Sequence, residues 1–226
     1  MMNNAAIILG AGAGTRMKAD KSKLLLDING KTVLERTVET FSKIKEISEI
    51  IVVCRECDLD SFENVLSAYD VSYCFGGDTR QQSVMNAVET IDECDYLLIH
   101  DGARPLITEK EIKDTLASAI QNGAAAVGVM VKDTIKVVDS NNQIVSTPDR
   151  STLVSIRTPQ IFDFKLYTDA VKKAKADGMD FTDDCQLIEY FGRPVFTVIG
   201  DYGNIKITTP EDLPMAEGVL KMRGEQ

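Results

Sequence analysis

Ala5-Ala6-Ile7-Ile8-Leu9-Gly10-Ala11-Gly12-Ala13-Gly14-Thr15-Arg16-Met17 is an unbroken apolar run that passes straight into a glycine-rich turn and a cation. An apolar run without polar alternation is what a strand buried on both faces of a parallel sheet requires. Glycines directly after such a strand let the backbone turn tightly and approach a phosphate without interference from Cβ. The spacing is G-x-G-x-G, so the dinucleotide fingerprint G-x-G-x-x-G fails at Thr15, and a P-loop ending is absent. Comparable runs recur at residues 49–54, 96–99, 125–131 and 195–199. Between them lie helical patterns with start signals. Thr32 with Glu35 and Thr108 with Glu111 have capping-box spacing, and Ile112, Leu116 and Ile120 fall on one helix face. Thr209, Pro210 and the acids Glu211 and Asp212 mark the start of the last helix, and Gly192 fits the end of the helix that begins near Thr182. Strands alternating with helices predict an α/β fold with a doubly wound, mainly parallel sheet. Its ligands bind beyond the carboxyl ends of the strands.

The 226 residues suit a single domain spanning 1–226. One stretch breaks the alternation. Residues 134–138 and 143–146 are short β-type runs around Asp139-Ser140-Asn141-Asn142, which predicts a protruding β-hairpin arm at about 132–158. A two-stranded hairpin is marginal alone, so the arm is expected to rest on a partner subunit. A net charge of −10 argues against nucleic acid or an anionic membrane as the main partner. No run approaches the length of a membrane span, and the apolar start follows Met-Met-Asn-Asn without a basic segment. Five scattered cysteines are an odd number and read as a reduced, cytoplasmic pattern. Cys54 and Cys57 form a lone C-x-x-C, which without a second pair reads as small residues at a strand end.

Four segments carry candidate chemistry. Arg16 and Lys23 stand beside the glycine turn, where two cations and exposed N–H groups would make a polyphosphate cradle. His100-Asp101-Gly102-Ala103-Arg104-Pro105 ends an apolar strand; Asp101 could hold Mg²⁺ through oxygen, and Arg104 could meet a second phosphate or simply brace the loop against Asp101. His100, the sole histidine, is read as a core group. Gly76-Gly77-Asp78-Thr79-Arg80-Gln81-Gln82-Ser83 is suited to hydrogen-bonding a base, and Lys206 stands just before the last helix.

These segments occur in a familiar order: G-x-G-x-R-M, a lysine soon after, G-G-x-x-R-x-x-S-V, H-D-x-A-R-P, D-T-I-K, T-P-Q-x-F, T-D-D and N-I-K-I-T-T-P-E-D-L. Over nearly its whole length the chain resembles the 2-C-methyl-D-erythritol 4-phosphate cytidylyltransferases of the non-mevalonate isoprenoid pathway. The resemblance implies a Rossmann-like nucleotidyltransferase fold, CTP and a sugar-alcohol phosphate as substrates, Mg²⁺ or another divalent cation, and a homodimer joined through the arm. By the same resemblance Gly10, Ala11, Gly12, Ala13 and Gly14, with Arg16 and Lys23, match the triphosphate cradle. Gly77, Asp78 and Ser83, with Arg80 close by, match the loop around cytosine and ribose. Asp101, Gly102 and Ala103 match the segment near ribose and metal. Arg104, Thr134, Arg150, Thr158 and Thr182 match contacts to the sugar-alcohol phosphate, some made across the dimer, and Lys206 matches the second lysine of the active centre. Arg16, Lys23 and Lys206 are the expected catalytic groups. The chain departs from the family at Ser22-Lys23-Leu24, where Pro-Lys-Gln is usual. Two alternatives stay open: a D-ribitol-5-phosphate cytidylyltransferase, which tends to carry a bulkier pair where Gly102-Ala103 stand here, and a non-catalytic nucleotide-binding module.

Overall fold

A computed structural model describes residues 2–12 and 22–225. Eleven strands form among them: β1 (Asn4–Leu9), β2 (Asp27–Ile28), β3 (Lys31–Thr32), β4 (Ile47–Cys54), β5 (Ser72–Phe75), β6 (Tyr96–Asp101), β7 (Ala124–Met130), β8 (Val137–Val138), β9 (Ile144–Ser146), β10 (Val154–Asp163) and β11 (Phe196–Ile199). The helices are α1 (Val33–Ser42), α2 (Leu59–Val65), α3 (Arg80–Val88), α4 (Glu109–Asn122), α5 (Phe164–Ala176), α6 (Asp184–Tyr190) and α7 (Asp212–Arg223).

Seven strands make one sheet in the order β11-β7-β10-β6-β1-β4-β5. All pair in parallel except β10, which runs antiparallel to both β6 and β7. The strand alternation divides the interior in two. Ala6 and Ile8 of β1 point into a core shared with α1, α2, α4 and α7. Ala5 and Ile7 point into the opposite core, built with α3, α5 and α6. This is why β1 tolerates no polar residue between Ala5 and Ile8. From β1 the chain proceeds to β4 and β5 on one side and then crosses to β6 on the other. That reversal opens a crevice at the carboxyl ends of β1 and β6.

Both halves of the capping box form at α4, where Glu111 N–H donates to Thr108 and the Glu111 carboxylate accepts from Thr108 N–H. At α1 the Thr32 hydroxyl accepts from Glu35 N–H. Gly192, with φ of 85°, follows α6 as expected. Two local expectations need correction. Ile120 is exposed, and Ala119 takes its place in the core beside Ile112 and Leu116. The last helix begins at Asp212, not at Pro210: the Asp212 carboxylate accepts from the N–H groups of Thr208 and Thr209 at 2.7 and 2.8 Å and so holds residues 208–211 as a turn.

The hairpin forms as β8 and β9, closed by the Asp139 carboxylate, which accepts from the N–H groups of Asn141 and Gln143. Its apolar residues Val137, Val138, Ile144 and Val145 are all exposed. Residues 154–158, which the sequence assigns to the arm, instead begin β10, and Val154, Ser155 and Ile156 pair with β7 in the central sheet. Among the described residues no helix is long and apolar enough to cross a membrane.

Phe41 of α1 is fully buried, with its ring 4.9 Å from the His100 ring at the end of β6. Phe41→Ala is expected to lower the unfolding free energy by about 3–5 kcal/mol, read from a urea titration at unchanged m-value.

Candidate functional site

The crevice between β1 and β6 is a cleft of about 410 Å³. Its floor is the turn after β1, Gly10 to Gly12, with Lys23 and Leu24 alongside. One wall is the loop after β5, with Gly77, Asp78 and Thr79, followed by Arg80 and Ser83 of α3. The other wall is Asp101 and Ala103 after β6, together with Lys206. Chain segments far apart in sequence therefore converge because each follows the carboxyl end of a parallel strand or leads into a helix there. Ala13, Gly14 and Arg16 lie outside the described residues.

Close packing of backbone shapes the cleft. Gly102 N–H donates to the Leu9 carbonyl at 2.9 Å, and a Cβ on Gly102 would sit 2.9 Å from that same oxygen. Gly76 brings the β5 loop against the β1 turn so tightly that a Cβ there would lie 2.4 Å from the Ala11 Cβ. The Ser83 hydroxyl accepts from Gly77 N–H at 3.1 Å and donates to the Thr79 carbonyl, so it props the loop open toward the cleft. Leu24 is buried, with its Cδ1 close under both Gly10 and Gly102. It acts as an apolar support beneath the two turns, and the Ser22 hydroxyl accepts from its N–H at 3.4 Å. Lys23 is thereby held at the cleft edge, and its ammonium donates to the Ile207 carbonyl at 2.8 Å.

Electrostatics centre on Asp101. Lys206 Nζ lies 2.8 Å from Asp101 Oδ2, and Arg104 Nε lies 3.4 Å from the same oxygen. Burial pushes the Asp101 carboxyl upward, but Lys206, Arg104 and Arg80 more than offset this and hold it down at about 2. Lys206 reaches Asp101 because its loop is pinned on both sides. Ile207 N–H donates to the Ala103 carbonyl, and the Asn204 carbonyl accepts from Arg104 at 3.0 Å and from Arg157 at 2.7 Å.

Behind Asp101 runs a chain of hydrogen bonds of fixed direction. Asp101 N–H donates to Thr158 Oγ1 at 3.0 Å, and Thr158 Oγ1 lies 3.0 Å from His100 Nδ1. The Arg104 carbonyl, 3.2 Å from His100 Nε2, can only accept, so the neutral ring carries its proton on Nε2 and its Nδ1 accepts from the Thr158 hydroxyl. Burial holds the imidazole down at about 3, so it is neutral at ordinary pH. It braces the loop, as a core histidine should.

Gly10, Ala11, Gly12, Lys23, Gly77, Asp78, Arg80, Ser83, Asp101, Ala103 and Lys206 thus share one cleft. Gly102 lies in the wall behind it, and Thr158 is buried, with its hydroxyl engaged by Asp101 and His100. Arg104 is half-buried against Asp101 and Asn204. Thr134 and Arg150 are exposed at the base of the arm, with Arg150 donating to the Lys132 carbonyl at 3.0 Å. Thr182 is exposed before α6. Sequence reasoning missed Arg157 and Asp184. Arg157 pins the 201–204 loop through three carbonyls, and Asp184 pairs with Arg80 at 2.6 Å. Asp184 had a signal, as the last residue of T-D-D, but its partner is distant in sequence.

Comparison with known proteins gives consistent findings. Residues 4–222 match the family described as 2-C-methyl-D-erythritol 4-phosphate cytidylyltransferase. A protein of that name from Caldanaerobacter subterraneus subsp. tengcongensis is 46% identical, over 97% of this chain and 100% of its own. One from Clostridium perfringens is 42% identical, over 96% of this chain and 98% of its own. Among solved structures, the 4-diphosphocytidyl-2C-methyl-D-erythritol synthase of Anaerococcus prevotii superposes with a TM-score of 0.87 at 37% identity, covering 97% of this chain and 96% of that one. The 2-C-methyl-D-erythritol 4-phosphate cytidylyltransferase of Thermus thermophilus gives 0.78 at 28%, covering 98% and 100%.

An aspartate held below its unfolded value stabilises the fold at pH above about 4 and loses that contribution as pH falls through its folded value. A depression from 3.8 to about 2 corresponds to about 2 kcal/mol. Asp101→Asn removes the titrating group. The stability difference between the wild type and this variant should therefore shrink by about 2 kcal/mol between pH 4.5 and pH 2, measured by urea unfolding.

Proposed function

The chain belongs to the 2-C-methyl-D-erythritol 4-phosphate cytidylyltransferase family, and from that membership we propose that the β1–β6 cleft transfers CMP from CTP to the phosphate of 2-C-methyl-D-erythritol 4-phosphate, with release of pyrophosphate. The observation that carries this reading is the convergence of Lys23, Arg80 and Lys206 on a glycine-lined cleft in a chain whose net charge is −10. Cations are concentrated where a polyphosphate would lie, and the rest of the surface is left acidic.

The chemistry needs no general base. A phosphate monoester is already an ionised nucleophile near neutral pH, and the buried neutral His100 is committed to the Asp101–Arg104 loop. An oxygen of the sugar-alcohol phosphate attacks the α-phosphorus of CTP in line. The bond from that phosphorus to the bridging oxygen of the β-phosphate breaks, and pyrophosphate leaves with the electron pair. The task of the protein is positioning and stabilisation of developing negative charge. The amides of Ala11 and Gly12 and the Lys23 ammonium receive the triphosphate, and the family resemblance assigns Arg16 and Gly14, outside the described residues, to the same role. The loop of Gly77, Asp78 and Ser83 meets cytosine and ribose. Lys206, oriented by Asp101, faces the α-phosphate. Arg104, Thr158 and Thr182 serve the sugar-alcohol phosphate side, Thr158 by holding Asp101 and the other two by contact.

Mg²⁺ suits this donor set. It takes one or two carboxylates and completes its shell with water and substrate phosphates, and the cleft offers the ionised carboxylate of Asp101. When bound there it neutralises charge on the phosphate oxygens. The exposed apolar residues of β8 and β9 support a homodimer in which the arm covers a second copy and brings Thr134 and Arg150 toward the partner's cleft. Five free cysteines support a reducing, cytoplasmic setting.

The test is pyrophosphate release with Mg²⁺, offering CTP, UTP, ATP or GTP against 2-C-methyl-D-erythritol 4-phosphate and D-ribitol 5-phosphate. Release with CTP and the methylerythritol phosphate is expected. Preference for ribitol phosphate would move the assignment to the sister activity, and CTP binding without release would make the protein a nucleotide-binding module. Lys23→Ala and Lys206→Ala should each lower turnover at least ~10²-fold with the fold intact by circular dichroism; near-normal turnover would remove that lysine from the mechanism. Light scattering at micromolar concentration should give a dimer mass, and a monomer would dismiss the role given to the arm.

A further inference from the structure

Arg80 begins α3 and lines the cleft, and its guanidinium is gripped by a buried carboxylate. Arg80 Nη1 lies 2.6 Å from Asp184 Oδ2, and Asp184 is only 3% exposed. The second carboxylate oxygen, Oδ1, accepts from the Tyr167 hydroxyl at 2.7 Å, and Tyr167 is fully buried. Asp184 is itself fixed. Its neighbour Asp183 caps α6 and accepts from Gln160 Nε2 at 2.6 Å, while Cys185 N–H donates to Gln160 Oε1 at 3.2 Å. The start of α6 is therefore locked onto β10, the strand that also carries Thr158.

Stability alone does not account for this arrangement. A buried ion pair is often no better for the fold than apolar residues of the same volume, whereas the loss of one member is strongly destabilising. The pair does have a consequence inside the cleft. Arg80 feels the charges of both Asp184 and Asp101, and it is one of the cations that act on Asp101. A long flexible arginine attracted by two carboxylates would divide its time between them. The close contact with Asp184 settles the competition: Lys206 and Arg104 keep Asp101, and Arg80 stays on the opposite wall.

We propose that Asp184, supported by Tyr167, is a positioning residue that holds the Arg80 guanidinium on the nucleotide side of the cleft, with its remaining N–H donors presented to a phosphate or ribose oxygen of CTP. This rests on the cytidylyltransferase reading above. Because Asp184 acts only through Arg80, its contribution should vanish when Arg80 is absent.

The experiment is a double-mutant cycle on kcat/KM for CTP, with CTP affinity by calorimetry and the thermal midpoint measured in parallel. Asp184→Asn should lower kcat/KM about tenfold or more in the wild-type background, with Tyr167→Phe giving a smaller loss in the same direction. In an Arg80→Met background neither change should lower kcat/KM further. There Asp184→Asn should raise the thermal midpoint, because it removes a buried carboxylate that has lost its cation. Equal fold-losses in both backgrounds would overturn the positioning role and leave Asp184 a purely structural group. Tyr167→Phe decides the same question should Asp184→Asn fail to fold. Wild-type enzyme assayed alongside separates the two readings: no CTP-dependent pyrophosphate release would overturn the function itself, and release with additive losses would overturn only the role of Asp184.

Discussion

A carboxylate sunk at the end of a central strand imposes demands on everything around it. Asp101 closes β6 where the sheet reverses direction, largely out of water, and remains ionised only because cations meet it. A buried anion without partners would take up a proton instead. Lys206 must therefore arrive from the far end of the chain, which requires the 201–207 loop to be anchored. Arg104 and Arg157 do this by sharing the Asn204 carbonyl. The Asp101 backbone is anchored in turn by Thr158, and Thr158 by His100. Each group that holds Asp101 is itself held, so the cleft has one wall of fixed geometry. The opposite wall repeats the principle with another buried carboxylate, Asp184, and its own cation, Arg80.

Much of this was legible in the sequence. The apolar runs became β1, β4, β6, β7 and β11 within a residue or two because those strands are largely apolar and carry no polar alternation. The glycines and single cations after them marked the cleft, since few other reasons place them together at strand ends. Two strands of the central sheet escaped. The residues of β5 are half-buried or exposed at a sheet edge, so Ser72-Tyr73-Cys74-Phe75 lacks the apolar signature. β10 contains Pro159, which normally argues against a strand interior, and its register with β7 shifts between Ile156 and Gln160. α7 misled because the Asp212 carboxylate accepts from the N–H groups of Thr208 and Thr209 and holds those residues in a turn ahead of the helix.

The site shows the same division. Residues that act through their own segment, such as Ser83, could be read locally. Roles that depend on a partner distant in sequence could not. Nothing around Asp184 announces Arg80, and nothing around Arg157 announces the carbonyls of the 201–204 loop. Leu24 belongs with these: in sequence it is an odd substitution beside a lysine, and in the fold it is the apolar support under Gly10 and Gly102.

The reversed strand β10 also has a bearing on the order in which the molecule can be completed. It separates β6 from β7, with Ile161 opposite Leu98 on one side and Ala125 on the other. On a ribosome, the first four strands of the sheet emerge and can pair while β6 still presents an unprotected edge of backbone donors and acceptors. β7 cannot cover that edge, because its place is one strand further out. Closure waits until the arm has been made and the chain has turned back through it, so the nascent protein carries an adhesive sheet margin through the synthesis of α4, β7 and the hairpin. The last piece inserted there also supplies Thr158, so the edge is sealed and Asp101 is braced by the arrival of a single strand.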